Sequence, residues 1–278
     1  MHVASIYIIQ FTFNAMKIEV LISCMHQTDA SIIEQTRVNS NVLVVNQCDI
    51  DKQETFDFKN SDDELCKATV IYTTERGLSR SRNMAIYNAD SDICLICDDD
   101  ETLVNDYAKI ILRAFEQHPT IDILTFKVHS PRKFFYSDEE RKVGYIEAMK
   151  TASWQIAFRR ESIVKNKIRF DEKMGSGTGN GGGEENKFLF DCLKKGLKIR
   201  YIPQWIASVA QTDSKWFKGF TNEYFYNKGW SNRRLLGLPL AWCYIVFFSV
   251  MRRKKYGKDN TFFNALYYQF KGTFKRVK

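Results

Sequence analysis

Five apolar residues, Ile93-Cys94-Leu95-Ile96-Cys97, run directly into four acids, Asp98-Asp99-Asp100-Glu101. A run that is apolar at every position, rather than at every second one, reads as a strand covered on both faces, so a sheet lies in the middle of the molecule with layers on either side. The acids mark where that strand leaves the core. Consecutive carboxylates at one edge repel one another and require a cation or a set of donors beside them. Oxygen-only ligands at a strand end suit Mg²⁺ or Mn²⁺, ions that keep positions open for the phosphates of a nucleotide.

Further β-rich runs at residues 18–23, 42–46, 69–73 and 121–128 alternate with helical stretches at 79–88 and 105–117, the latter with Tyr107, Ile110, Ile111 and Phe115 on one face. Alternation of this kind predicts an α/β layer fold whose ligands gather outside the carboxyl ends of the strands, where residues 98–101 would stand. An acid-capped helix over 102–115 is the alternative reading of the acids.

Residues 175–183 hold six glycines in nine positions and lead into Glu184-Glu185 and a helical run over 186–195, closed by Gly196. So much glycine predicts a mobile loop hinged against a helix N-terminus. Gly177, Gly179 and Gly182 match a dinucleotide-binding spacing, but no strand precedes them and the acids at the helix start would repel a pyrophosphate. A strand over 197–202, ending at Pro203, follows.

The formal charge of +8 is a property of the tail: from Arg252 to Lys278 there are nine basic residues and one acid, Asp259, so the rest of the chain balances. This placement argues against a nucleic-acid footprint. Aromatics concentrate from Trp205 through Trp216, Phe217 and Trp230, and residues 235–251 carry no charge but are interrupted by Gly237 and Pro239. That run is borderline for a membrane span, which needs about 20 apolar residues. Followed at once by Arg252-Arg253-Lys254-Lys255, it reads as a segment lying on, or half inserted into, an anionic cytoplasmic leaflet. A packed core helix with a solvated basic end is the alternative. Seven cysteines without a framework read as reduced cytosolic thiols, and Cys94-x-x-Cys97 as buried strand residues. Residues 3–15 are apolar without a basic n-region, so 1–15 are taken as an extension ahead of a start at Met16-Lys17.

Three stations, in order, resemble the family 2 glycosyltransferases of the GT-A fold. Gly77-Leu78-Ser79-Arg80-Ser81-Arg82-Asn83 is similar to that family's G-x-x-x-A-R-N segment, Asp98-Asp99-Asp100 to its D-x-D, and Gly183-Glu184-Glu185 to the G-E-D or G-E-E that carries its base. The resemblance covers roughly residues 17–210. It implies an α/β GT-A fold with a mostly parallel central sheet flanked by helices and a C-terminal helical appendage. The expected division is an extension at 1–15, a glycosyltransferase domain at 16–210 and a membrane-associating region at 211–278.

The resemblance implies an inverting transferase, of polysaccharide-biosynthesis type, that moves a sugar from a nucleotide donor, UDP-linked by expectation, to a saccharide or lipid-linked glycan. Asp98 and Asp100 would hold Mg²⁺ or Mn²⁺. Asp98 and Asp99 would contact the donor with Asp49, Arg76, Gly77, Arg80 and Arg82, whose guanidiniums and helix-start amides form an anion site. Glu185, or else Glu184, would be the general base. Its partners would be the donor, the acceptor and an anionic membrane surface, with no nucleic acid, and its place the cytoplasmic face of the plasma membrane. The rivals are a catalytically degenerate nucleotide-binding scaffold and a sugar nucleotidyltransferase. The latter is disfavoured because residues 23–29 contain no glycine. Two departures stand out: Cys24-Met25-His26 replaces the family's Pro-x-Tyr-Asn pattern, and no histidine follows His129.

Overall fold

The computed structural model describes residues 16–131, 136–210 and 219–276. The expected extension at 1–15, together with Trp216 and Phe217, lies outside the described residues.

The chain opens with β1 (Ile18–Met25), a short α1 (Ile32–Gln35), β2 (Asn41–Gln47), β3 (Lys52–Lys59), β4 (Leu65–Thr73), α2 (Leu78–Asn88) and β5 (Ile93–Asp98). Then come β6 (Glu101–Leu103), α3 (Tyr107–Gln117), β7 (Ile123–His129), β8 (Arg141–Lys142), α4 (Tyr145–Ala148), β9 (Ile156–Arg159) and α5 (Arg160–Lys165). The glycine loop leads to α6 (Glu184–Lys194) and β10 (Ile199–Val209), followed by α7 (Asn222–Leu236), α8 (Leu238–Met251), α9 (Arg253–Tyr256) and α10 (Phe262–Gly272).

One sheet runs in the order β3-β4-β2-β1-β5-β9-β7-β10-β6, with β8 on β10. Its parallel block is β4-β2-β1-β5, in which Ser23 lies opposite Asp98, Met25 opposite Gln47, and Gln47 opposite Thr73. The carboxyl ends of four strands therefore share one edge. β9 runs antiparallel to both β5 and β7, which returns β7 and its parallel neighbour β10 to the direction of the first block. Helices cover both faces, as the continuous apolar runs require. Val20, Ile22, Leu95 and Cys97 pack with Tyr107, Ile111 and Phe115 of α3 on one side. Leu21, Cys94 and Ile96 pack with Ala85 and Ile86 of α2 and Phe188 of α6 on the other. Cys94 and Cys97 thus fall on opposite faces.

Several sequence expectations are corrected. The acids do not cap α3, because β6 stands between them and Asp106 occupies the cap position. β10 does not end at Pro203 but continues to Val209, and its register with β7 jumps on either side of Trp205. A proline is tolerated where the ladder is already broken. β3 is an added edge strand whose Lys-Gln-Glu-Thr-Phe-Asp-Phe-Lys pattern lacks the apolar density of a core strand; charge there guards an open edge. Pro239 does not interrupt a span, for it sits in the first turn of α8, where its missing N–H costs nothing. Gly237 divides the uncharged run between α7 and α8.

The C-terminal helices dock on the catalytic layers. Leu235 joins the core beneath α2 and α6, and Arg234 Nε donates to Asp171 Oδ2 at 2.7 Å. α7 and α10 cross at reciprocal glycines: a Cβ on Gly229 would lie 1.9 Å from the Gln269 carbonyl oxygen, and one on Gly272 would lie 1.9 Å from that of Tyr226. The backbones touch. Gly229→Ala is therefore expected to lower unfolding stability by about 1–3 kcal/mol or more, as overpacking does. Denaturant unfolding of the variant beside wild type measures it; unchanged midpoints would disprove the crossing.

Candidate active site

The first turns of α2 hold the site together. Gly77, at φ +120°, begins the helix, and its N–H donates to Gln47 Oε1 at 2.6 Å. Leu78 N–H donates to the Ser176 carbonyl at 3.1 Å, and Ser79 Oγ to that of Met174 at 2.8 Å, which fastens the glycine loop to this helix. Ser81 Oγ meets Ser23 Oγ at 2.8 Å, tying the helix to β1. Asn83 exchanges hydrogen bonds with the Phe170 backbone, at 2.8 and 3.0 Å.

Arg82 is the centre of this arrangement. It is 3% exposed; Nη2 meets Asp98 Oδ1 at 2.7 Å, Nη1 meets Glu184 Oε1 at 3.2 Å, and the guanidinium lies 5.4 Å from the Phe170 ring centroid. The other Asp98 oxygen accepts from Ser153 Oγ at 3.1 Å. One buried cation thus joins the acid at the end of β5 to the acid at the start of α6. The second and third sequence stations, 86 residues apart by Asp98 and Glu184, meet through the first.

The acids differ in environment. Asp99 and Asp100 are exposed at the lip of the edge; partial enclosure and its two acidic neighbours raise the Asp99 carboxyl above its ordinary value. Glu101 is the innermost, its backbone-facing Oε2 accepting from Asp98 N–H at 3.2 Å, and burial followed by the Asp98 charge holds its pKa well above the usual carboxylate range. Its Oε1 has no hydrogen-bond partner. Glu184 is buried against Gly175 and held by Arg82. Glu185 is half-buried beside it, and desolvation, then the Glu184 charge, push its carboxyl upward against the weaker pull of Arg82.

The expected anion site of three free guanidiniums and open amides is corrected in detail. Arg76 Nη2 pairs with Asp49 Oδ1 at 2.6 Å, Arg80 Nε with Glu172 Oε2 at 3.5 Å, and Arg82 is enclosed, while the amides of Gly77 and Leu78 already have acceptors. Asp49 and Arg76 do come together on the loops after β2 and β4. Ser153 and Gln47 were not foreseen; each is a single polar residue whose partner is set by the fold. A stacked pair was also missed: the rings of His129, at the end of β7, and Trp205, within β10, lie 3.6 Å apart.

A carboxylate-only edge fits a hard divalent cation in its donor chemistry. No group of three or more metal-ligating side chains is preassembled among the described residues, so such an ion would be completed by oxygens of a bound nucleotide. Two glycines of the loop occupy crowded positions, Gly175 and Gly181: a Cβ on Gly175 would stand 2.9 Å from the Glu184 carboxyl carbon.

Comparison with known proteins agrees with this geometry. The family model of glycosyl transferase family 2 matches residues 8–180. Among solved structures, S. aureus TarS 1-349 in complex with UDP-GlcNAc superimposes with a TM-score of 0.59 at 14% identity, covering 88% of this chain and 74% of that one. Its complex with UDP gives 0.54 at 15% identity over the same shares. The longer S. aureus TarS gives 0.57 at 15% identity, covering 86% of this chain and 44% of that one. At such identities the likeness is one of fold. No curated protein sequence matches the chain.

Replacing Arg82 by Met would leave the Asp98 and Glu184 carboxylates without their buried cation, and is expected to cost about 3–5 kcal/mol. Chemical denaturation of Arg82→Met beside wild type measures this, and a change below about 1 kcal/mol would mean that the bridge does not hold the site.

Proposed function

This chain belongs to glycosyl transferase family 2 and is a glycosyltransferase, and on that premise we propose that it transfers a sugar, with inversion, from a UDP-linked donor to the hydroxyl of a saccharide or lipid-linked glycan in polysaccharide biosynthesis. The observation that carries the reading is the Arg82 bridge, which sets the strand-end acids and the paired glutamates at one sheet edge. The UDP and UDP-GlcNAc bound by the TarS structures of the same fold support the choice of donor.

Asp49 and Arg76 would receive the nucleotide, with the start of α2 and Arg80 near its phosphates. Asp98, at the end of β5, and Asp99 and Asp100, just beyond it, would stand across from that station. Asp98 and Asp100 would hold Mg²⁺ or Mn²⁺, which when bound would neutralise the charge of the diphosphate leaving group. Asp98 reaches that task already oriented by Arg82 and Ser153. Glu185 would remove the proton of the acceptor hydroxyl. Enclosure and its acidic neighbour raise its basicity toward the working pH, which favours a general base. Glu184, held by Arg82, is the less available of the two. Inversion is what the family resemblance implies for a base that acts on the acceptor.

Glu185→Gln is expected to abolish transfer while leaving UDP binding within a few-fold of wild type. In the wild type kcat/KM should rise with pH well above the ordinary carboxylate range, because the base acts deprotonated and its folded pKa is raised. Undiminished turnover in the variant would move the role elsewhere. Asp100→Asn should lower transfer at least about tenfold at fixed metal, as a charged ligand is lost. Full activity in chelator would remove the metal from this reading.

We further propose that the protein works as a peripheral enzyme on the cytoplasmic face of the plasma membrane. α8, at 14 residues, is roughly 21 Å long, and no helix among the described residues is long and apolar enough to cross a membrane. Yet only Ala241, Ile245, Phe248 and Ser249 of α8 are buried, while Leu240, Phe247 and Met251 are 60–64% exposed and Phe263 of α10 is 79% exposed. Arg252 to Lys255 stand exposed beside them. An apolar face rimmed by basic residues suits an anionic surface, at roughly 1 kcal/mol per cation. Truncation after Ser231 would divide α7 ahead of its core residue Leu235, so substitution is the better test. Wild type should sediment with phosphatidylglycerol vesicles at low salt. Replacing Arg252, Arg253, Lys254 and Lys255 by Gln should release it; equal sedimentation of both would remove the membrane reading.

A further inference from the structure

The glycine loop has a second side. Its inner side meets the active site, where a Cβ on Gly177 would lie 3.4 Å from Gly77 Cα. Its outer side closes on α7: a Cβ on Gly181 would lie 2.3 Å from Ser231 Oγ and 3.1 Å from the Asn227 carbonyl oxygen. Thr221, Tyr224, Lys228 and Ser231, spaced by three and four residues, fall on one face of the helix. With the loop backbone they enclose a cleft of about 440 Å³.

Two polar groups in this cleft lack complements. The buried Ser231 hydroxyl has no hydrogen-bond partner. Among the described residues Lys228 makes no ion pair or hydrogen bond; its ammonium lies over the Phe248 ring, 4.6 Å from the centroid, and 6.0 Å from that of Tyr244. Burial, and after it the like charge of Arg252, pushes the Lys228 ammonium pKa down to about 8. Glu223 also lines the cleft without pairing to Lys228, and Lys275 reaches the same wall by donating to Asn227 Oδ1 at 2.9 Å. A lysine without a counter-charge and a hydroxyl without a partner, three residues apart on the α7 wall of one cleft, match one acceptor-rich anionic group.

We propose that the cleft between the glycine loop and α7 is an acceptor subsite that takes a phosphate or carboxylate group of the acceptor through the Lys228 ammonium and the Ser231 hydroxyl. The proposal rests on the transferase reading for the word acceptor alone; the anion site stands on its own geometry. Gly175 and Gly182, which line the cleft, also stand against the Glu184 carboxyl, so loop backbone lies between the two. The sugar-accepting chain would thus carry its negative charge beside the unit that is modified.

The test is competitive acylation of the full-length protein at pH 8, read by peptide mass spectrometry. Inorganic phosphate, glycerol 3-phosphate and glucuronate are compared with chloride at equal ionic strength, and phosphatidylglycerol vesicles with neutral ones. An ion pair that raises the Lys228 pKa by about one unit should slow its labelling about fivefold. Labelling of Lys194 should not change, and Ser231→Ala should weaken the protection. Protection by glycerol 3-phosphate identifies a phosphorylated glycan, protection by glucuronate an acidic sugar, and protection by vesicles alone a lipid headgroup. Lys228→Met, which keeps the aliphatic packing on Phe248, should raise KM for an acceptor of the protecting class while donor hydrolysis is unchanged. Equal labelling in every arm, or a Lys228 that is never labelled, overturns the site. Protection without transfer to any acceptor would instead retire the transferase reading and leave the anion site standing.

Discussion

The buried guanidinium of Arg82 is the interaction on which the site depends. It joins α2, the end of β5 and the start of α6, which bring no other charge of its sign to that point. A cation removed from water is costly unless its partners are close and well directed, and here two carboxylates supply both conditions. The bridge still leaves the edge negative, since Asp99, Asp100, Glu101 and Glu185 remain around a single buried arginine. Burial, and after it the charge of the neighbouring acids, raises the carboxyls of Asp99, Glu101 and Glu185 together. An edge of this kind suits the cation and the general base proposed for it.

Crowding and backbone conformation together account for the glycine in the loop that precedes α6. Gly175 stands against Glu184 and Gly181 against Ser231 at distances that a side chain would alter, while Gly177 and Gly183 hold φ values of +83° and +99°. The loop is backbone pressed between the active site and the C-terminal helices, and its hydrogen bonds to Leu78 and Ser79 fasten it to the helix that carries Arg82. The same logic recurs farther out, where Gly229 and Gly272 let α7 and α10 cross at contact. The appendage is thereby coupled to the catalytic layers through α7. Leu235 enters their core, Arg234 pairs with Asp171, and the outward faces of α8 and α10 remain free for a surface.

Elements that bury both faces or one whole helical stripe are legible in the amino-acid sequence. β1, β2, β5 and β7 and helices α2 and α3 stand within a few residues of where their apolar patterns put them, because burial writes itself into consecutive residues. β3 and β9 left no such mark. The first is a polar edge strand, and the second is four residues inserted antiparallel between β5 and β7, with its pairing supplied by distant neighbours. The extension of β10 past Pro203 was hidden for a related reason, since only the partner strand reveals that the ladder breaks there.

By itself the sequence determined the α/β layering, the three stations and their order, and the confinement of positive charge to the tail, since each depends on local composition and spacing. It could not determine which acid faces which base. Whether the three arginines near α2 stand open or paired, whether glycine means slack or contact, and that Ser153 would orient Asp98 were decided only when residues up to 102 positions apart were packed together. Charge pairing and steric contact act through space over a few ångströms, and chain separation carries no record of that distance until the fold has closed.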